Sequence, residues 1–194
     1  FIIPMQPHFN NHPNASPQAR SCFDIVATRN NTTVTIVPSK PLIGHPALDT
    51  FSIVLNRGQT WEGRAISEDA LMHPGGTFVF SDKPIAITVT EDQLQVPNLA
   101  VSDSSFDIVG DQLIPRERCG KTYFAQLGSC GMPAGGRIFV YAFEDTTAID
   151  TAGSYAATLN RGEVFEFFLN TPTGATINVT FLEADKSVFV YGVG

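Results

Sequence analysis

The tetrapeptide Leu55-Asn56-Arg57-Gly58 recurs in this chain as Leu159-Asn160-Arg161-Gly162, which begins 159 − 55 = 104 residues later. Apolar residues alternate with polar ones around each copy, which is the pattern of a strand that buries one face. Glycine has no Cβ and asparagine tolerates left-handed backbone angles, so both residues suit a tight turn. Each copy therefore predicts a turn that joins two antiparallel strands as a β-hairpin.

Two further pairs of motifs indicate that the whole chain is duplicated. Thr32-Thr33 matches Thr146-Thr147 at an offset of 146 − 32 = 114 residues, and Asp82-Lys83 matches Asp185-Lys186 at an offset of 185 − 82 = 103 residues. The drop in offset from 114 to 104 places 114 − 104 = 10 extra residues of the first copy in the loop Pro38–Asp49. An insertion of this kind is expected on the surface of the protein.

Short alternating segments separated by turn residues run through both copies, and few stretches have a helical period. Each copy is predicted to begin with an opening strand, Phe1–Met5 in the first and Thr122–Leu127 in the second. Three hairpins are predicted in each copy, at Cys22–Val37, Thr50–Ala65, Thr77–Thr90, Arg137–Thr151, Ser154–Leu169 and Thr176–Tyr191. The chain is therefore predicted to be all-β, with two tandem homologous antiparallel β-sandwich-like repeats.

The first repeat is predicted to cover residues 1–100 and the second residues 122–194, with an acidic junction at 101–121. The junction belongs to the polar stretch Glu91–Lys121, which has the least strand pattern before Gln112. The alternative architecture is a set of consecutive blades or units of a larger β-repeat array or propeller. Two copies cannot close a ring, and blades are usually much shorter than these repeats, so the sandwich is preferred.

The composition excludes several functional classes. With 43% hydrophobic and 16% charged residues, the 194-residue chain is an ordered globular protein and lies far from the disordered class. Its formal net charge of −7 and scattered basic residues argue against binding to nucleic acid or an anionic membrane surface. No apolar run is long enough for a membrane helix, and the amino terminus has no leader pattern. We expect a mature product or an excised segment of a longer protein.

Acidic residues of the junction are the candidate metal ligands. Asp103, Asp107 and Asp111, with Glu91 and Asp92 upstream, offer the carboxylate oxygens that Ca²⁺ takes between β modules. Their spacing matches no EF-hand loop, and a solvated acidic linker is the simpler interpretation. Apart from calcium, no cofactor is expected.

The histidines do not form a zinc site in this interpretation. His8 and His12 have the spacing of zinc ligands on a helix, but they lie among Pro and Asn residues, where no helix would hold them on one face. We interpret them as solvated loop residues. His45 and His73 also fall in loops with Pro or Gly, and no second cluster of ligands accompanies them.

The three cysteines are an odd number. Cys119 and Cys130 are predicted to form a local disulfide, which leaves Cys22 free or paired with another chain; three unpaired thiols are the alternative. Acceptor tripeptides for N-glycosylation, which are compatible with secretion, begin at Asn14, Asn30, Asn31 and Asn178.

No catalytic constellation is visible in the sequence. A nucleophilic serine or cysteine needs a base and an oxyanion hole, and the chain has no Gly-x-Ser-x-Gly elbow. Two facing carboxylates, as in glycoside hydrolysis, depend on the fold, and the sequence singles out no pair. Trp61 could stack on a sugar, but Phe165 is its counterpart in the second copy, which favours a packing role. We therefore predict a protein without enzymatic activity.

The motifs, taken in order, resemble a known family. Their order and spacing are similar to those of the repeats of the IgGFc-binding protein N-terminal domain family. The segments that carry the resemblance are Phe23–Thr28, Asn31–Ile36, Leu55–Thr60, Gly76-Thr77, Ser81–Ala86, Gly110–Pro115, Gly120–Tyr123 and Asp185–Tyr191. The resemblance therefore spans nearly the whole chain.

The resemblance implies an extracellular or cell-surface module without enzymatic activity, of the kind found in a mucus-associated animal protein and in large bacterial surface proteins. The family name records binding of the animal member to the Fc part of immunoglobulin G. We match no compact motif for that binding, so the ligand-binding residues stay unknown.

The expected function is a secreted or surface-anchored adhesion or structural module that binds protein or glycoprotein partners through loops and strand edges. Immunoglobulin and a second copy of the chain are among the candidate partners. In the self-assembly variant, the edges Phe1–Met5 and Ser187–Tyr191 join repeats into a surface polymer or filament by β-augmentation. The alternative class is a carbohydrate-binding module or a glycoside-acting enzyme.

Overall fold

The structure, a computed structural model, describes residues 1–95, 106–128, 136–169 and 177–193. Two compact units are present: the first comprises Phe1 and Ile3–Leu113, and the second begins at Ile114. The strands of the first unit are β1 (Ser21–Ala27), β2 (Thr32–Val37), β3 (Phe51–Leu55), β4 (Thr60–Arg64), β5 (Phe78–Ser81), β6 (Ile85–Gln95) and β7 (Phe106–Gln112). The strands of the second unit are β8 (Thr122–Gly128), β9 (Gly136–Ala142), β10 (Thr147–Thr151), β11 (Ser154–Leu159), β12 (Val164–Leu169), β13 (Ile177–Ala184) and β14 (Val188–Val193). Two short 3₁₀ turns, Ala70–Met72 and Arg116–Arg118, complete the regular structure of the described residues.

Each unit contains two antiparallel sheets, which confirms the all-β prediction. The sheets of the first unit have the strand orders β4-β1-β6-β7 and β3-β2-β5. Those of the second unit have the orders β12-β9-β14 and β11-β10-β13-β8. All four sheets are open, and no barrel or closed propeller occurs in the described residues, so the sandwich interpretation holds over the propeller alternative.

The two units repeat one topology strand by strand, as the duplicated motifs predicted. The order β4-β1-β6 corresponds to β12-β9-β14, and β3-β2-β5 corresponds to β11-β10-β13. The seventh strand of each unit differs, because β7 pairs with β6 whereas β8 pairs with β13. In the first unit the chain start takes the place equivalent to β8: Phe1 and Ile3 exchange backbone hydrogen bonds with Val79, Thr77 and Gly76.

The predicted turns are present, but the strands that they join do not pair with each other. β1 and β2 lie in opposite sheets, as do β3 and β4, and β5 and β6; the second unit repeats this arrangement. The six predicted hairpins are therefore wrong as pairings, since each turn is an arch that carries the chain from one sheet to the other. Alternation at period two identifies the buried face of a strand, but it does not identify the strand to which it is hydrogen-bonded. The paired consecutive strands are β2–β3, β6–β7 and β10–β11.

The inserted loop of the first copy lies between β2 and β3, as predicted. Residues 38–50 make this connection, whereas Ala152 and Gly153 alone connect β10 and β11, with φ of 50° and 78°. Two consecutive residues at positive φ are typical of the type I′ turn of a tight hairpin. The insertion is therefore 13 − 2 = 11 residues long, one more than the motif offsets indicated.

Strand β7 lies in the polar stretch where the sequence predicted a connection with little strand character. It pairs with β6 from Thr88↔Gln112 to Gln95↔Phe106, across a register shift. The segment is polar because β7 is the outermost strand of its sheet: Ile108, Gly110 and Asp111 are exposed. An edge strand with little buried surface has no strict alternation of apolar and polar residues, and its pattern is correspondingly weak.

The inner faces of the sheets form the cores. In β1 every second residue is buried, and Phe23, Ile25 and Ala27 are at most 1% exposed. In the second unit one cluster joins both sheets and consists of Ala125, Ile138, Val140, Ala142, Ile149, Leu159, Leu169, Leu182 and Val188. These residues lie on alternate positions of seven strands, which is how two sheets bury a shared apolar layer.

Candidate functional site

The three arches of the first unit are hydrogen-bonded to one another in what we call the first turn cluster (residues 29–33, 56–59 and 82–83). The backbone N–H of Arg57 donates to Asn30 Oδ1 at 3.1 Å, which joins the second arch to the first. The backbone N–H of Thr33 donates to Asp82 Oδ1 at 2.8 Å, and Lys83 Nζ donates to the Asn30 carbonyl at 2.9 Å. Short polar side chains thus satisfy backbone groups that the turns leave unpaired.

The second unit repeats these bonds in the second turn cluster (residues 144–148, 160–163 and 185–186). The backbone N–H of Arg161 donates to Asp145 Oδ1 at 3.0 Å, and that of Ala148 donates to Asp185 Oδ1 at 2.8 Å. Lys186 Nζ donates to the Asp145 carbonyl at 2.5 Å. The repeated Leu-Asn-Arg-Gly motif is therefore part of a structural lock, and its repetition follows from the geometry of the turn.

The bonds of the two clusters also correct the register of the duplication. Thr33 is equivalent to Ala148, because each donates its backbone N–H to the aspartate of the third arch. Their offset is 148 − 33 = 115 residues, so the sequence match of Thr32-Thr33 with Thr146-Thr147 was displaced by one residue. A repeated threonine pair carries too little information to set a register, whereas the pattern of hydrogen bonds fixes it.

A buried polar network in the first unit was missed by the sequence analysis. Gln6, Asn11, His73 and Glu91 are at most 3% exposed. His73 Nδ1 lies 3.1 Å from Glu91 Oε1 and 3.0 Å from the Gln6 carbonyl, and His73 Nε2 lies 3.1 Å from Asn11 Oδ1. Gln6 Nε2 donates to Glu91 Oε1 at 3.1 Å. The network ties the loop after the chain start to β6.

The partners of His73 hold its ring in one orientation. Asn11 Nδ2 donates to the Asp92 carbonyl at 2.6 Å, which fixes the orientation of this amide and turns its oxygen toward His73. Nε2 of the ring therefore faces the Asn11 amide oxygen, and Nδ1 faces the Gln6 carbonyl and the Glu91 carboxyl group. Since the pair of His73 and Glu91 is enclosed by protein, no substrate reaches it, and its role is structural.

A signal for this network was present in the sequence. Ile87 and Val89 are buried positions of β6, and Glu91 continues the same face two residues further on. A carboxylate at a core-facing position requires a buried partner. The sequence does not identify His73 as that partner, because the two residues are brought together only by the loop that contains the Ala70–Met72 turn.

The inserted loop of the first unit packs on an aromatic cluster. The ring of His45 stacks on Phe51 with a centroid distance of 3.6 Å, and Trp61 meets both rings edge to face at 6.0 and 5.5 Å. The Ile43 N–H donates to the Arg64 carbonyl at 2.9 Å, so the loop also satisfies part of the edge of β4. Trp61 is half-buried in this cluster, in agreement with the packing role predicted for it.

A pair of carboxylates lies on the outer face of the first unit. Asp24 and Glu62 are directly opposite each other on β1 and β4, and Arg64 Nε donates to Glu62 Oε1 at 2.7 Å. Partial burial and the neighbouring Glu62 carboxylate raise the pKa of Asp24, whereas Arg64 opposes the rise. Arg64 and Glu62 thus form an ion pair at an exposed site beside Asp24.

Exposed apolar side chains mark the outer strands of the second unit. Phe124 of β8 is 74% exposed and contacts Phe181 of β13, its cross-strand partner, at a centroid distance of 5.1 Å. Val179 is 50% exposed on β13, and Tyr155 is 69% exposed on β11. Among the described residues β8 is the last strand of its sheet, and no described strand pairs with its other edge, next to Phe124. Exposed aromatic residues beside an open edge are features of protein-binding surfaces.

A family model described as IgGFc binding protein matches residues 2–194. The chain belongs to the IgGFc-binding family. Neither a search of curated proteins nor a search of solved structures found a match. The IgGFc-binding family is one of protein-binding modules that are typically extracellular, and enzymatic activity is not known for it.

In the described part of the chain, no helix has the length and apolar character that are needed to cross a membrane. Among the same residues, no three His, Cys, Asp or Glu side chains come together as a metal site would require.

The predicted calcium ligands are only partly described. Asp103 and the side chain of Asp107 lie outside the described residues, and Asp111 is exposed on β7, where its Oδ1 accepts the Gln112 N–H at 2.7 Å. Positions 107 and 111 are four residues apart in one strand, hence about 13 Å apart, which is too far for both to hold one ion. Calcium binding by this segment stays a prediction.

The predicted covalent modifications also stay predictions. Cys119 is a free thiol whose Sγ lies 3.7 Å from the Pro115 carbonyl, and its proposed partner Cys130 lies outside the described residues. Cys22 is a free thiol on β1. Of the predicted glycosylation acceptors, Asn14, Asn30 and Asn31 are exposed, and the side chain of Asn178 lies outside the described part.

Proposed function

We propose that this chain is a non-catalytic extracellular adhesion or structural module that binds protein or glycoprotein partners through exposed strand edges. One observation carries the proposal: in a family of protein-binding modules, the open edge of β8 presents a solvated aromatic side chain, Phe124. Phe124 is 74% exposed, so its burial by a partner would remove apolar surface from water and contribute favourably to the free energy of binding.

The neighbours of Phe124 extend this surface. Phe124 and Phe181 form a cross-strand aromatic pair, and Val179 lies on the same outer face of β13, two residues from Phe181. We call these three residues the β8–β13 patch. Its centre is apolar, and the exposed Thr122, Gln126 and Glu183 surround it. An apolar centre with a polar rim is the usual composition of a protein interface.

The candidate partners are the Fc part of immunoglobulin G, a glycoprotein, or a second copy of the chain. Pairing of two copies along open edges would build the surface polymer or filament of the self-assembly variant by β-augmentation. The net charge of −7 favours partners that are neutral or basic at the contact. Calcium, if it acts at the junction, would stabilise the module and take no part in chemistry.

The test is a binding assay with a matched control. The chain is immobilised and exposed to purified Fc, to a purified mucin-type glycoprotein and to itself, and its mass in solution is measured by light scattering. We expect binding to at least one of the three, weakened tenfold or more by Phe124→Ser and unchanged by Val54→Thr, since Val54 is similarly exposed on β3. A monomer that binds none of the three, or equal binding by the two variants, would refute the proposal.

A carbohydrate-binding or glycoside-acting role is the weaker candidate. Trp61 would be its stacking platform, yet His45, Phe51 and Phe23 already pack against this ring. Glu62 would be one of its carboxylates, yet it is held by Arg64. No observation among the described residues favours this role over protein binding.

A further inference from the structure

The edge of β14 lacks a neighbour that the equivalent strand of the first unit has. In the first unit β6 lies between β1 and β7. In the second unit the equivalent strand, β14, pairs with β9 on one side, and no strand of the described residues pairs with its other side. In the described part of the chain, the same topological position is thus occupied by a strand in the first unit, whereas in the second unit only Gly120 and the Tyr123 hydroxyl contact it, at Val188.

The register of the duplication identifies which backbone groups are open. Ile85 pairs with Ala27 and Val188 pairs with Ala142, and these two alanine carbonyls accept the same turn hydrogen bond, from Gly58 and Gly162. Ile85 is therefore equivalent to Val188, at an offset of 188 − 85 = 103 residues. By the same offset, Ile87 corresponds to Val190 and Val89 corresponds to Gly192.

The equivalent positions of β6 show what the edge of β14 can bind. The Ile87 carbonyl accepts the Leu113 N–H at 2.9 Å, and Val89 pairs with Asp111 of β7. On β14, Val188 donates its N–H to the Gly120 carbonyl at 3.0 Å, on the side away from β9. Backbone groups two residues apart point to the same side of a strand, so those of Val190 and Gly192 are directed to the open edge.

We propose that the open edge of β14 binds an extended strand of the β7 type, antiparallel to β14 and in the register that β7 uses on β6. This inference deepens the proposed function, because it names a second protein-binding edge and the conformation of its partner. The sequence of β14, Val188–Val193, has no charged residue and no proline, so it lacks the features that keep an edge strand from pairing.

The chemistry of β7 defines the occupant. A side chain at Gly110 would place its Cβ 2.9 Å from the Val89 carbonyl oxygen, so close approach of the two strands requires glycine at this position. Leu113, at the end of the strand, is 5% exposed and anchors it to the core. We therefore expect the strand on β14 to carry a glycine opposite Val193, the equivalent of Thr90, and a large apolar residue three positions later in its sequence.

The experiment supplies this strand within the chain. A second copy of Asp92–Pro115 is appended after Gly194, which the offset of 103 makes equivalent to Glu91, so the natural connection is reproduced. The readout is hydrogen exchange of individual backbone amides by NMR. We expect exchange at Val190 and Gly192 to slow by about tenfold or more relative to the unextended chain, because both amides become hydrogen-bonded.

Two control extensions test the chemistry of the occupant. One carries valine at the position copied from Gly110, and the other carries aspartate at the position copied from Leu113; both leave the native β7 intact. We expect neither control to protect Val190 or Gly192. Unchanged exchange with the matching extension, or equal protection by the controls, would overturn the inference. Neither result bears on the β8–β13 patch, whose binding is measured on the unextended chain.

Discussion

The Asp82 carboxylate accepts the backbone N–H of Thr33 at 2.8 Å, and this bond ties the third arch of the first unit to the strand that leaves the first arch. Asp185 makes the same bond to Ala148 at 2.8 Å in the second unit. The two aspartates belong to the Asp-Lys motif that marks the duplication in the sequence. The strongest repeated signals in this chain are thus side chains that hold turns.

We predict that Asp82→Ala destabilises the first unit by about 1 kcal/mol, because it removes a hydrogen bond to a charged acceptor at an exposed site. Asp185→Ala is expected to have the same effect on the second unit. Urea denaturation, with hydrogen exchange to locate the loss, measures both. Asp49→Ala, at an exposed position of the inserted loop, is the control and is expected to change stability by less than about 0.5 kcal/mol. Equal losses for the three variants would contradict the locking role.

We predict that Gly63→Ala destabilises the first unit by about 3 kcal/mol, because a Cβ at Gly63 would lie 2.3 Å from Phe23 Cζ. In the second unit the equivalent pair is Phe167 with Ile138, so the large ring comes from the other strand of the pair. Phe23→Ile combined with Gly63→Ala should therefore recover part of the loss. A double-mutant cycle in urea measures the coupling, and additive effects of the two substitutions would refute the steric explanation.

The second unit has Ile138 and Phe167 where the first has Phe23 and Gly63, and a single sequence does not show that the residues of each pair face each other. Other features of the fold could be predicted. The alternation of apolar residues located the strands and their buried faces, because every second side chain of a strand lies on the same face of the sheet. It did not show that an arch joins two sheets, since β1 and β2 alternate in the same way whether or not they pair. Pairing depends on contacts between residues far apart in the chain, which a local pattern does not contain.

The features of the candidate sites were also predictable from the sequence only in part. Exposure of turn residues such as Asn30 follows from local composition and was predictable. Burial of His73 was not, because its loop has the composition of a solvated segment and the partner that buries it, Glu91, is 91 − 73 = 18 residues away. Exposure of Phe124 was equally hidden, since the sequence of β8 does not show that this strand is the last of its sheet.

We predict that Glu91→Gln or His73→Leu destabilises the first unit by about 3–5 kcal/mol, because either change breaks a fully buried polar pair and leaves one member without its partner. The double variant His73→Leu with Glu91→Leu should lose less than the sum of the two single variants. Glu68→Gln, which breaks the partly exposed ion pair with Arg20, is the control and is expected to destabilise the unit far less than Glu91→Gln does. Denaturation in urea measures all four variants, and similar losses for Glu91→Gln and Glu68→Gln would contradict the buried pair.

We predict that EDTA lowers the melting temperature of the chain and that added Ca²⁺ restores it, because we expect the junction that contains Asp103 to bind this ion. For a protein of this size a shift of about 2–4 °C corresponds to about 1 kcal/mol. Asp103→Asn should abolish the response to Ca²⁺, whereas Asp49→Asn should leave it unchanged. A melting temperature that is the same in EDTA and in Ca²⁺ would remove calcium from the description of the junction.

We predict that Cys22 reacts slowly with iodoacetamide in the folded chain. Burial raises the pKa of its thiol from 9.0 to about 12, and the neighbouring Asp24 and Glu62 carboxylates add to the rise. The thiolate is the reactive form, and this rise in the pKa of Cys22 reduces the thiolate population by about 1000-fold below pH 9. Because the folded-state pKa exceeds the unfolded one, the stability linked to this thiol is complete below pH 9 and declines as the pH rises toward 12.

The following measurement distinguishes two causes of slow reaction at Cys22, a raised pKa of the thiol and steric shielding of the sulfur. Alkylation at Cys22 is quantified by peptide mass spectrometry between pH 7 and pH 10, in the native chain and in urea. In the native chain the rate should continue to rise up to pH 10, whereas in urea it should begin to level off above pH 9, where the unfolded thiol becomes mostly ionised. Glu62→Gln removes one of the carboxylates that raise this pKa and should speed the native reaction without changing the rate in urea. A native rate that levels off near pH 9 would show that Cys22 is shielded by sterics alone and that its pKa is ordinary.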